Sequence, residues 1–141
     1  SNVAGMSDIQ LTWTNHYNLA EAAEADAAHW GNYAGWSDYA LVPVTISGVS
    51  ANDDIYWTLT TLPLDYYNYD DEWIRDITSN ENCHQSVHSF CYFQLPYEYE
   101  YSLIAVAKDA NGNFGKLFKK EIYLYASDSA DISSYVYKEV E

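Results

Sequence analysis

From Tyr97 to Ala105 every second residue is apolar or aromatic, namely Tyr97, Tyr99, Tyr101, Leu103 and Ala105, with Glu98, Glu100 and Ser102 falling between them. A period of two predicts a strand with one dry face and one wet face. Asp109-Ala110-Asn111-Gly112-Asn113 comes next, a cluster that tolerates positive φ or bonds its own backbone, so the chain is expected to reverse there. A second strand then leaves with Phe118, Ile122 and Leu124 on one face. Two strands and their turn are therefore legible between Leu95 and Leu124.

The same pattern recurs upstream. Ile9, Leu11 and Trp13 alternate with polar residues as a short first strand. Residues 19–29 hold good helix formers without a broad apolar stripe, which predicts a short surface helix or an extended loop. A strand over Tyr39–Ile46 places Ala40, Val42, Val44 and Ile46 on one face, and Pro43 argues for an edge position or a bulge. After a turn from Gly48 to Asp54, Ile55, Trp57 and Leu59 form the inward face of another strand, ended by Pro63. Asp70 or Asp71 is placed to cap a short helix whose apolar side is Trp73, Ile74 and Ile77, stopping near Ser79-Asn80. Phe90–Leu95 reads as a short strand. After Tyr125 periodicity fades, and the segment either packs as a last strand or leads onward. Many short strands with little helix predict an all-β protein, an antiparallel β-sandwich with one or two short helices in loops. The expected organisation is one sandwich domain over 1–126, its first 37 residues being the first strand plus an acidic helix or loop, and a C-terminal tail or linker over 127–141.

Composition narrows the function classes. A hydrophobic content of 48% in 141 residues excludes a disordered chain and suffices for one buried core. No apolar run is long enough to insert directly in a membrane. With 21 acidic and 6 basic residues the net charge is -15, so nucleic acid and anionic membranes are not expected as partners. Such a surface reads first as solvated and resistant to aggregation.

Catalytic patterns are missing from the sequence. No serine sits in a nucleophile-elbow motif, and no phosphate-binding glycine loop appears, so no enzyme, no catalytic residue and no cofactor is expected. Cys83-His84-Gln85-Ser86-Val87-His88-Ser89-Phe90-Cys91 holds metal-ligand types, and a helix there would put His84, His88 and Cys91 on one face. The segment lacks a helical apolar pattern, so the reading is a disulfide between Cys83 and Cys91 or two buried thiols, with no metal. Asp109–Asn113 has no acidic residue at the distance a calcium loop requires and reads as a hairpin turn.

Two aromatic groups are candidate ligand surfaces. Tyr66, Tyr67, Tyr69 and Trp73 stand among Asp65, Asp70, Asp71 and Glu72; aromatic faces stack on sugar rings and carboxylates accept hydroxyl hydrogens. The competing reading packs Tyr66 and Trp73 on the sheet while the acids cap the helix. Trp30 and Trp36, with Tyr33 between them, form the second group, either a binding surface, a seam with a neighbouring domain or the lid of the core.

Leu95, Glu100, Tyr101, Leu103, Ala105, Ala107, Asp109 and Gly112 fall in a register that resembles the end of a fibronectin type III domain, an immunoglobulin-like sandwich. The resemblance implies that Tyr101 is a corner tyrosine bonded to upstream backbone and that Trp57 is a core tryptophan. Pro96, Tyr99 and the helix within 64–82 depart from that family. The layout is similar to variant sandwich modules in surface lipoproteins of gut bacteria. Such modules mostly space, display or bind. The resemblance implies a non-catalytic structural or interaction module of a larger secreted protein or lipoprotein, extracellular or at the cell surface, anchored by lipid through a removed N-terminal region. Its partners are then neighbouring domains of the same protein and a glycan or protein ligand; the alternative reading is a carbohydrate-binding module using Tyr66, Tyr67, Tyr69 and Trp73.

Overall fold

The structure, a computed structural model, describes residues 8–141. In chain order the elements are β1 (Gln10–Thr12), β2 (Tyr17–Asn18), α1 (Leu19–Ala25), α2 (Ala27–Trp30), β3 (Tyr39–Ser47), β4 (Asp54–Thr60), α3 (Asp71–Thr78), β5 (His84–Gln85), β6 (Phe90–Pro96), β7 (Tyr99–Lys108) and β8 (Phe118–Leu124). Strand exceeds helix, 36% against 23%, and the strands form two antiparallel sheets, so the chain is mostly β with few short helices. In one sheet β1 and β2 both pair with β3, which also pairs with β6; the other runs β5-β4-β7-β8. The chain divides into two compact units. The first holds the segment ending at Leu11, Ile46–Ser89 and Glu100–Ile122; the second holds Thr12–Thr45, Phe90–Tyr99 and Tyr123–Glu141.

The first unit is built on β4 and β7, aligned with Ile55 opposite Ala107, Trp57 opposite Ala105 and Leu59 opposite Leu103. Ile55, Leu103, Ala105 and Ala107 are fully buried, and Trp57 is partly so. The opposite face of the same strands is dry as well. Ile77 of α3 packs on Tyr56 and Val106, with Trp73, Phe114 and Leu117 beside them. This covering changes the expected wet face of β7: Ser102 is only 3% exposed, and its hydroxyl donates to the Leu62 carbonyl at 2.7 Å. A buried hydroxyl is tolerated there because it is bonded. Tyr101 is buried in the same strand.

The alternation also fails at its upstream end. Glu98 adopts a left-handed backbone with φ 68, so the strand begins only at Tyr99, which is half exposed. On β8 the expected face holds, with Phe118, Ile122 and Leu124 buried. The hairpin turn closes as its residues dictate: the Asp109 carboxylate accepts the N–H groups of Asn111 and Asn113, and Gly112 takes φ 84.

In the second unit β3 pairs on both flanks, contrary to the edge position that Pro43 suggested. The neighbour is broken instead. β2 aligns Tyr17 with Leu41 and Asn18 with Ala40, a register whose continuation brings Asn15 opposite Pro43. Residues 13–16 form no strand, so the proline's missing donor falls where the ladder is already interrupted. Leu41 is fully buried against Leu19, Ala22, Ala23 and Trp30 of α1 and α2. Asn18 caps α1, its side chain accepting the Glu21 N–H at 3.1 Å. Residues 19–29 are thus helical, in two short pieces.

The segment from residue 127, expected as a tail or linker, or else a last strand, carries Ile132, Tyr135 and Tyr137 packed against that same cluster. It forms no strand, only short 3-10 turns at Ala126–Asp128 and Ile132–Ser134. Its backbone is bound instead by side chains and loops: Tyr92 Oη donates to the Lys138 carbonyl, and Ala130 N–H donates to the His16 carbonyl at 2.8 Å.

Candidate aromatic cleft and basic groove beside helix α3

Pro63 lacks the donor that would extend β4, and the chain turns through a 3-10 segment at Leu64–Tyr66. Tyr67 and Asn68 lead into Tyr69, held at φ 50, a conformation uncommon for a bulky residue. Its hydroxyl donates to the Leu64 carbonyl and so ties the loop shut. Asp70 then caps α3, accepting the Trp73 N–H at 2.9 Å, while Asp71 and Glu72 place negative charge in the first turn, where the helix dipole favours it. Thr78 and Ser79 bond back to the carbonyls of Ile74 and Arg75 and end the helix. Ile77 is its buried anchor.

This loop gathers the four aromatic residues that the sequence nominated. Ring centroids lie 5.0 Å apart for Tyr66 and Tyr67, 6.0 Å for Tyr67 and Trp73, and 5.0 Å for Tyr69 and Trp73. The rings meet at 87°, 48° and 80°, so they form the walls of a cleft and not a flat platform. Tyr66 is 62% exposed, whereas Tyr67, Tyr69 and Trp73 are partly buried. Together with Asn68, Asp70, Glu72 and Asp76, the rings of Tyr66, Tyr67 and Trp73 border a shallow, open depression of about 270 Å³. The packing reading holds for Asp70, which caps the helix, and for Trp73, which leans on the core, but not for Tyr66, which is exposed; ring surface and carboxylates remain open beside them. Burial, together with the nearby Tyr67 and Asp65, raises the Tyr69 pKa above its ordinary value, so the hydroxyl that closes the loop keeps its proton at neutral pH.

The other side of α3 opens on a larger groove of about 460 Å³, formed by Tyr69, Asp71, Ile74 and Arg75 with Phe114–Leu117 and Lys119. Sequence reasoning missed it, because Arg75 and the Lys116–Lys119 segment meet only where α3, Phe114 and Leu117 pack on Tyr56 and Val106. The one visible signal was Lys116, Lys119 and Lys120 standing close together in a chain with 6 basic residues.

Trp30 does not belong to any ligand surface. It is 8% exposed, its indole N–H donates to the Tyr135 hydroxyl, and Tyr92 meets its ring edge-on at 4.9 Å. Two short helices and the C-terminal segment close over it, so for Trp30 the lid of the core is the reading that holds. Trp36 remains 40% exposed, in edge contact with Tyr33 at 5.2 Å.

The cysteines are free thiols, so the disulfide is absent: Cys83 lies in the turn before β5, whereas Cys91 is part of β6 in the other sheet. His84 and His88 do not share a helical face with Cys91. His84 Nε2 lies 3.3 Å from Asp54 Oδ1, and His88 Nε2 lies 2.8 Å from the Asp53 carbonyl. Burial pushes the Cys91 thiol up to about 12 and raises Cys83 as well. Iodoacetamide near pH 8 is therefore expected to leave Cys91 unmodified in the folded protein, while peptide mass mapping after urea finds both cysteines alkylated. Rapid native labelling of Cys91 would contradict its burial. The unfolded chain ionises this thiol near 9.0 and the folded chain only near 12, so the thiol's contribution to stability is complete below the first value and is lost as pH rises through the second.

Comparison with protein-family models, curated proteins and solved structures finds no match.

Proposed function

We propose that this chain is a non-catalytic β-sandwich module of a larger extracellular or cell-surface protein, fibronectin type III-like in plan, and that it binds carbohydrate at the aromatic cleft before α3. The observation that carries the reading is the convergence of Tyr66, Tyr67 and Trp73 in one open cleft whose rim holds Asp70, Glu72 and Asp76, with Tyr69 packed against Tyr67 and Trp73 and lining the groove across α3. Tilted ring walls suit a sugar ring entering edgewise, with apolar C–H faces against tyrosine and hydroxyls donating to the carboxylates. The fibronectin-like hairpin and the acidic composition support an extracellular module, with neighbouring domains of the same protein as further partners.

A glycan array followed by tryptophan fluorescence titration tests it. Tyr66→Ala removes the most exposed ring at negligible cost in stability and is expected to weaken glycan binding by roughly fivefold, about 1 kcal/mol of ring contact. Trp73→Ala is expected to weaken it further, with circular dichroism reporting retained fold. Silence across neutral and acidic glycans would leave a spacer and end the carbohydrate reading.

A further inference from the structure

The chain carries 6 basic residues against 21 acidic ones, yet Arg75, Lys116 and Lys119 all line the single groove on the far side of α3. A chance scatter over a surface of net charge -15 does not place half of its cations together. Among the described residues neither Arg75 nor Lys116 forms an ion pair, and the Lys119 ammonium lies 4.8 Å from the centroid of the Tyr69 ring. Asp71 is the one carboxylate in the lining, and it stands in the first turn of α3, where the helix already favours it. The groove is thus locally cationic inside a strongly anionic protein. Its remaining walls, Tyr69, Ile74, Phe114 and Leu117, are apolar or aromatic.

From this we infer that the groove binds a carboxylate-bearing sugar residue, such as a uronic acid unit of an oligosaccharide. The guanidinium of Arg75 offers a planar fork matched to a carboxylate, and Lys116 adds a second positive donor. The aromatic and aliphatic walls suit the apolar face of a sugar ring better than they suit a bare inorganic anion. A polyanion is disfavoured, because charges a Debye length of about 8 Å away meet the acidic surface, and the cleft across α3 is rimmed by Asp70, Glu72 and Asp76. One acidic unit in the groove with neutral units elsewhere fits this charge layout. The inference rests on the carbohydrate reading above and adds the chemical class of the ligand.

The test is calorimetric titration of the full chain with four probes: a uronic-acid disaccharide, its methyl ester, the matching neutral disaccharide and an acidic hexapeptide. The uronate is expected to bind about tenfold or more tightly than its ester, the effect of one charge-assisted hydrogen bond, and the ratio is expected to shrink with added salt. Arg75→Ala with Lys116→Ala, both solvent-exposed positions, should bring the ratio to about one without changing the thermal midpoint. Equal binding of uronate and ester overturns the groove proposal and leaves the carbohydrate reading standing. No binding by any saccharide overturns both. Binding of the hexapeptide as tightly as the uronate overturns the sugar assignment, as would a ratio that survives the double substitution.

Discussion

Trp30→Ala is expected to cost about 3–5 kcal/mol in urea unfolding, the range for emptying a large aromatic site. The side chain is sealed by Leu19, Ala22, Ala23 and Leu41, and by Tyr92, Tyr135 and Tyr137. The substitution also strips the Tyr135 hydroxyl of its donor, although that hydroxyl still donates to Asp26 Oδ2 at 3.3 Å. Trp30→Phe keeps one six-membered ring but removes the N–H and about a third of the ring atoms, so a loss above about 1 kcal/mol and below that of the alanine variant is expected. A loss below about 1 kcal/mol for the alanine variant would mean that the C-terminal segment does not close over this site, because the packing against Tyr135 and Tyr137 makes Trp30 a core residue. Burial of Trp30 also predicts that a glycan titration leaves its fluorescence unmoved, in contrast to Trp73.

The second large effect is expected at Gly48. Its φ is +80, and a Cβ built there would lie 2.1 Å from the Asp8 carbonyl oxygen. Both penalties fall on Gly48→Ala: the left-handed backbone costs roughly 1–2 kcal/mol, and the backbone clash forces the turn away from the start of the first strand. Gly112 is the internal control. It has φ +84 with nothing within 4 Å, so Gly112→Ala is expected to show the backbone cost alone. The difference between the two variants in thermal or urea unfolding measures the close approach at Asp8. Equal losses would show that the segment at Asp8 moves aside freely. The Lys116 N–H donates to Asp8 Oδ1 at 2.8 Å and helps to hold it in place.

The free thiols, the buried Trp30 and the packed C-terminal segment share one cause. Each concerns which distant segments meet, and that is not written in local spacing. Cys83 and Cys91 are near in sequence, but strand order sends them to different sheets. Tyr135 and Tyr137 follow no period because they enter as irregular chain, their backbone satisfied one bond at a time.

Local chemistry, by contrast, was readable from the residues. Alternation placed β3, β4 and β8 within a residue or two, because a half-buried strand must separate its faces with period two. The Asp70 cap and the Asp109–Gly112 turn followed from side chains that bond their own backbone. Composition set the charge, and with it the partners to be discounted. Tertiary structure alone decided that β7 from Tyr101 onward is dry on both faces, that β3 is central despite Pro43, and that Trp30 is core while Trp36 and Tyr66 stay exposed. It also brought Arg75 to Lys116. Burial and long-range pairing depend on what packs over a surface from elsewhere in the chain, and the residues of that surface carry no record of it.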